Sequence, residues 1–292
     1  MGKPTRGSLV CFLAVSFGLA WGICFLIWLG GGLTGTRAYL LSFCMLAPAL
    51  AALLVKGIFR LPWSVLALRP RLRGHLVWYL LAWFGPSLLI AGGGLLYFLL
   101  WPAQFDATGH GAALFPFWLA GSLLLSAVVT PVANLVFCAG EELGWRGFLF
   151  TCFLEKGSPR RAMTLSGLIW GLWHGPMIAM GHNYGFAYPC WPWLGIGAMV
   201  VFCFFVGCCL AYLRLRTGSF WPAALAHGAL NGMAAGAMVF LAPGWTVSPF
   251  VGPLPTGILG GIGFILAGTG CFLLAKAPAS PGEAAWEEES AG

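Results

Sequence analysis

Two adjacent acids and an arginine, Glu141, Glu142 and Arg146, stand in "FCAGEELGWRGFLF" (137–150), a stretch otherwise built of apolar and small residues. The chain has only eight Asp or Glu. Asp106 and Glu155 lie outside or at the edge of apolar runs, and Glu283, Glu287, Glu288 and Glu289 lie in a polar tail. Glu141 and Glu142 are therefore the acids enclosed by apolar sequence, and His174, His227 and Asn231 join them on two later apolar runs. An ionisable group at bilayer depth costs about 3 kcal/mol or more, so such groups are kept for a task or a partner.

Their chemistry has more than one use. A glutamate beside a histidine can deprotonate a water held between them, and a second histidine with an asparagine can donate to the oxyanion formed when that water attacks an amide carbonyl. No serine or cysteine nucleophile is needed, and Cys138, one turn before the acids, reads as packing. Glu141, His174 and His227 could instead ligate zinc with water in the fourth position, although their spacing is not HExxH. A proton relay through Glu141 and His174 is a third use, but no inverted repeat or pair of broken helices accompanies it. Within the motif, Glu142 and Arg146 are i and i+4 with the acid first, the favourable order for an ion pair on one helix face. Glu141 points about 100° away around a helix of 3.6 residues per turn. One structural acid and one reactive acid are expected. His227 and Asn231 are also i and i+4, so they face one space.

The elements that position these residues must be membrane helices. Apolar residues make up 60% of the chain and charged residues 8%, with mean hydropathy +0.88, against about 25% charged in a soluble domain. The expected fold is all-α and polytopic, with about eight transmembrane helices over roughly 8–30, 38–56, 76–101, 116–138, 160–180, 192–213, 220–241 and 256–275, the fourth continuing through the motif to about 154 with Pro131 as a bend. The net charge of +7 marks topology rather than nucleic-acid binding. With the N-terminus cytoplasmic, every Lys and Arg except Arg37 and Arg146 falls on the inner side, from Lys3 and Arg6 to Lys276. Both termini are then cytoplasmic. "RLPWSVLALRPRLRGH" (60–75) reads as a basic amphipathic stretch along the inner interface. Residues 1–277 read as one transmembrane domain with a motif core at 116–240, and 278–292 as a disordered acidic cytoplasmic tail.

Depth, counted at about 1.5 Å per residue, puts Glu141 and His174 both roughly 20 Å from the basic end, with His227 and Asn231 at similar heights. Glycines flank each position at GxxxG spacing (Gly140 and Gly144; Gly171 and Gly175; Gly228, Gly232 and Gly236), which lets helix backbones approach. With 43 glycines in the chain, that spacing alone carries little weight. The ten cysteines read as small buried hydrophobes without a CxxC, and His75, His110 and His182 as loop residues.

The motifs together resemble a known family. "EELGWR" (141–146) is similar to the EExxxR motif of the CAAX-protease and bacteriocin-processing family of intramembrane proteases. "WGLWH" (170–174) resembles its FxxxH, with Trp170 in place of Phe, and "HGALN" (227–231) its HxxxN. The resemblance covers roughly 116–240. It implies an intramembrane glutamate endopeptidase in which Glu141 and His174 activate water, His227 and Asn231 form the oxyanion site, and Glu142 and Arg146 support them, without a metal cofactor. It implies as substrate a prenylated CaaX protein or another membrane-associated peptide. The membrane would be the cell's inner or plasma membrane in a prokaryote and the endoplasmic reticulum in a eukaryote. A non-proteolytic scaffold or immunity protein that keeps the motif for structure is the alternative.

Overall fold

The computed structural model describes residues 3–107 and 115–275, with backbone alone for 115–120. Lys276, His110 and the tail 278–292 lie outside the described residues. The chain folds into helices: α1 (Arg6–Leu29), α2 (Leu41–Cys44), α3 (Ala47–Ile58), α4 (Leu76–Leu100), α5 (Phe115–Ala133), α6 (Leu135–Glu142), a π-helical turn (Leu143–Leu149), α7 (Phe150–Leu154), α8 (Pro159–Trp173), α9 (Gly175–Ala179), α10 (Trp193–Thr217), α11 (Trp221–Met233) and α12 (Ile262–Leu274). Local sequence sets several boundaries. Thr5 and Ser8 form a capping box on α1. Ser158 caps α8 ahead of Pro159, and α10 stops at Gly218 in the left-handed region.

Five helical stretches are long and apolar enough to cross a membrane: Arg6–Leu29, Gly35–Ile58, Leu76–Leu100, Trp193–Thr217 and Trp221–Phe240. Gly121–Ala133 and Leu135–Leu154 make a sixth, bent by 52°. The chain is an integral membrane protein of the all-α class. The other two expected spans are shorter helices. The segment 160–180 is broken at His174, before Gly175 and Pro176, because proline removes a backbone donor from the helix ladder. The segment 256–275 is regular only over α12, since 250–261 is wound into turns whose backbone packs on Gly257, Gly260 and Gly261. The bend in the fourth span falls at Asn134, three residues beyond Pro131, which stays inside α5.

The stretch 60–75 has the two faces expected of it, with Leu61, Val65 and Leu66 buried and Arg60, Arg69, Arg71 and Arg73 exposed. Only Trp63–Leu66 makes a short 3-10 turn, and Leu61, Val65 and Leu66 are buried beneath the π-helical turn. The Trp221 indole donates to Leu68 O at 2.7 Å, which fastens this stretch to α11. Trp191 and Trp193 are exposed, as an interfacial belt requires.

The core forms where α11 packs among α4, α5, α6 and α10, and α8 packs on α10. Every residue of the π-helical turn is buried, so this part of the fourth span touches protein all round. Glycines bring the backbones together here. A Cβ on Gly140 would lie 2.7 Å from Met45 O, one on Gly171 would lie 2.5 Å from Val200 Cα, and one on Gly228 would lie 2.6 Å from Pro131 O. Gly175 has no such neighbour.

Candidate functional site

Three elements meet around one cavity: the junction of α6 with the π-helical turn, the end of α8, and the middle of α11. Glu141, His174, His227 and Asn231 all line the cavity, whose volume is about 650 Å³. That size lies within the range of about 300–1,000 Å³ typical of ligand pockets.

Glu142 is fully buried and sits at the hub. Its Oε1 accepts from Arg146 Nη1 at 2.9 Å and from His227 Nδ1 at 2.9 Å. The first contact is the expected i,i+4 pair. The second links the motif on α6 to α11, and nothing in the spacing of either motif announced it. The Arg146 guanidinium also lies over the Trp170 ring, 4.3 Å from its centroid, so its charge meets an aromatic face as well as a carboxylate.

Glu141 faces away from Arg146, as its helical position requires. Its Oε2 accepts from two indoles, Trp170 Nε1 at 2.7 Å and Trp145 Nε1 at 3.2 Å. These donors were missed in the sequence. Trp145 stands four residues after Glu141, the spacing of a same-face neighbour. Trp170 was read as an aromatic standing in for Phe, but it also brings a donor that Phe lacks. Its ring lies edge-on to both histidines, 5.7 Å from His174 and 5.4 Å from His227 between centroids.

His174 occupies the break between α8 and α9. Its backbone N–H bonds Gly171 O at 3.2 Å, which leaves Trp170 O to accept from His174 Nδ1 at 2.9 Å. That bond assigns the ring proton to Nδ1 and leaves Nε2 as a free acceptor. The Trp173 ring packs edge-on at 5.0 Å, and Trp173 is tied to α1 by its Nε1 donating to Ser16 O at 3.4 Å. Cys203 Sγ lies 3.9 Å from His174 Nδ1. Asn231 Nδ2 donates to Cys138 Sγ at 3.7 Å, a weak acceptor that leaves the carboxamide free for a better one.

For the zinc alternative, each histidine has Nδ1 engaged and Nε2 as the nitrogen that would bind a metal, and Glu141 has one oxygen holding two indoles. Among the described residues no three His, Cys, Asp or Glu side chains group so as to hold a metal.

Away from the polar layer the walls are apolar and adaptable, with Met45, Met177, Met180 and Met199 among them. The lining also takes in Leu33, Ala38, His182, Asn183, Phe186 and Thr256. His182, read in the sequence as a loop residue, is exposed and lies among the lining residues.

The arrangement is that of a helical membrane protein with a polar pocket closed by three spans. Residues 116–233 match a known family, Type II CAAX prenyl endopeptidase Rce1-like. A CAAX prenyl protease 2 of Methanococcus maripaludis is 36% identical over 76 residues, which are 25% of this chain and 28% of that protein. Both findings place the likeness to CAAX prenyl proteases in the segment that carries the three motifs. The matched part spans little more than a quarter of the relative's length.

Proposed function

We propose that the protein is an intramembrane endopeptidase that hydrolyses a peptide bond with water activated by Glu141 and His174. The observation that carries the reading is the division of bonds between the two acids. Glu142 binds Arg146 and His227 through Oε1 and is not among the cavity's lining residues, whereas Glu141 is held through Oε2 by neutral indoles and lines the cavity. His174, with its proton on Nδ1, offers Nε2 as the second acceptor for the water. Attack on the carbonyl creates an oxyanion, and Asn231 Nδ2 with His227 supplies donors for it. For His227 to donate from Nε2 while Nδ1 bonds Glu142, both ring nitrogens carry protons, and the Glu142 carboxylate is the counter-charge.

The reaction needs no metal in this scheme. The substrate is a membrane-associated peptide. The relative's name adds prenylated CaaX proteins as one such class, and peptides without the lipid are the other. The purified protein in detergent is expected to cleave its substrate equally with and without chelator. Glu141→Ala and His174→Ala each lower turnover by about a hundredfold or more, within the contribution of general acid–base catalysis, while the thermal melt stays cooperative. Normal cleavage by both variants would sink the mechanism and leave a structural role for the motif.

A further inference from the structure

We infer that a groove between α4, α10 and α12 binds one anionic phospholipid, with an acyl chain in the groove and the phosphate on Arg71 and Arg216. The inference does not rest on the peptidase reading.

The groove has a volume of about 240 Å³. Leu81, Gly85 and Leu89 of α4 line it together with Leu213 of α10 and Ala267 of α12, and no charged side chain does. Such a surface favours hydrocarbon over water. Both α4 and α10 are long and apolar enough to cross a membrane, so the hydrocarbon at hand is lipid. From Trp78 to Leu89 the groove follows roughly 16 Å of α4, at 1.5 Å per residue. That is about half of a ~30 Å hydrocarbon core, the depth of one leaflet.

One end of the groove is basic. Trp78, near the start of α4, lines it edge-on to Tyr212, with 5.9 Å between ring centroids. Such rings mark the headgroup level of a bilayer. The exposed Arg216 guanidinium lies over the Trp78 ring, 5.0 Å from its centroid. Arg71, also exposed, reaches the same end, since a Cβ on Gly218 would lie 2.7 Å from its Nη1. The Tyr79 hydroxyl donates to Pro70 O and so holds the Arg71 segment on α4.

These charges are not neutralised from within. The two ion pairs found among the described residues both use Glu142 and include none of Arg71, Arg214 and Arg216. Arg71 lies near enough to Arg214 for the two charges to act on each other, and Arg214 Nε is buried without a hydrogen-bond partner. Like charges so placed repel, and an anion between them relieves the repulsion. A free phosphate would leave the groove unfilled, and an uncharged lipid would leave the arginines unpaired. A phospholipid with an anionic headgroup answers both. Leu230 lines this groove and the cavity that holds Glu141. The bound chain therefore lies against the helix that carries His227 and Asn231.

The full chain, purified in detergent, is titrated with dioleoylphosphatidylglycerol or with dioleoylphosphatidylcholine, and bound lipid is counted by native mass spectrometry. One phosphatidylglycerol should bind at least about tenfold more tightly than phosphatidylcholine, the direction expected of arginines at headgroup level. The double change Arg71→Gln with Arg216→Gln should remove that preference. Gly85→Phe fills the groove from a position where a Cβ meets open space. It should weaken phosphatidylglycerol binding by about tenfold or more, as lost apolar burial requires, while the melt in detergent stays cooperative. Should that variant fail to fold, Ala267→Phe blocks the groove from α12. Equal binding of the two lipids, or a preference that survives the arginine changes, overturns the headgroup site. Unchanged phosphatidylglycerol binding in the folded blocked variant overturns the groove as the seat of the chain.

Discussion

At the scale of single residues, two carboxylates one position apart do different work because a helix turns between them. Glu142→Ala would leave Arg146 as a buried, unpaired cation and His227 Nδ1 without its acceptor. Removing one partner of a buried pair costs about 3–5 kcal/mol, so this variant should melt early in detergent. Glu141→Gln keeps an amide oxygen for the two indoles and should melt near the parent while turnover stops. Trp170→Phe probes the donor that the family's usual Phe lacks. A hydrogen bond to a charged group is worth about 1.5–3 kcal/mol, so kcat should fall about tenfold or more with KM little changed; a rise in KM alone would assign Trp170 to substrate binding. The Glu142–Arg146 pair was legible from spacing, since both partners share one helix. The Glu142–His227 and Glu141–Trp170 bonds were not, because each joins helices far apart in the chain and depends on how they rotate against one another.

At the scale of elements, hydropathy found the long helices and overstated their regularity. An apolar run signals burial in lipid or protein, but not whether the backbone inside it stays regular. The run 160–180 is apolar throughout its second half yet breaks at His174, and 256–275 begins as packed turns. The same blindness hid the π-helical turn, whose sequence apart from Arg146 is as apolar as a span but which is surrounded by protein. Glycine spacing was informative at some positions and not at others, since a GxxxG says nothing about what lies opposite. Gly171→Leu should therefore destabilise the contact between α8 and α10 by about 1–3 kcal/mol, the usual cost of overpacking. Gly197→Leu on the facing helix, where a Cβ meets open space, should be neutral. Thermal melts of the two variants compare them directly, and equal losses would refute the packing argument.

For the whole molecule, the distribution of charge was readable before any fold was known, and the set of loops that joins the cavity was not. Lys and Arg are scattered along the chain but collect at one end because each span reverses direction. A cavity lining depends instead on which loops come together, and residues such as Leu33, Asn183 and Thr256 carry no mark of it in their own neighbourhoods.

The methionines in the cavity wall carry a liability of their own. Thioethers are oxidised to sulfoxides, which turn a flexible apolar side chain into a polar one. Met177 and Met199 are nearly fully buried against the site, while Met45 and Met180 line the same space with partial exposure. Peroxide should therefore reach Met45 and Met180 first, wet the wall that receives apolar side chains, and weaken peptide capture before it touches the acids. Methionine sulfoxide reductase would restore it, making the pocket a reversible recorder of oxidative stress.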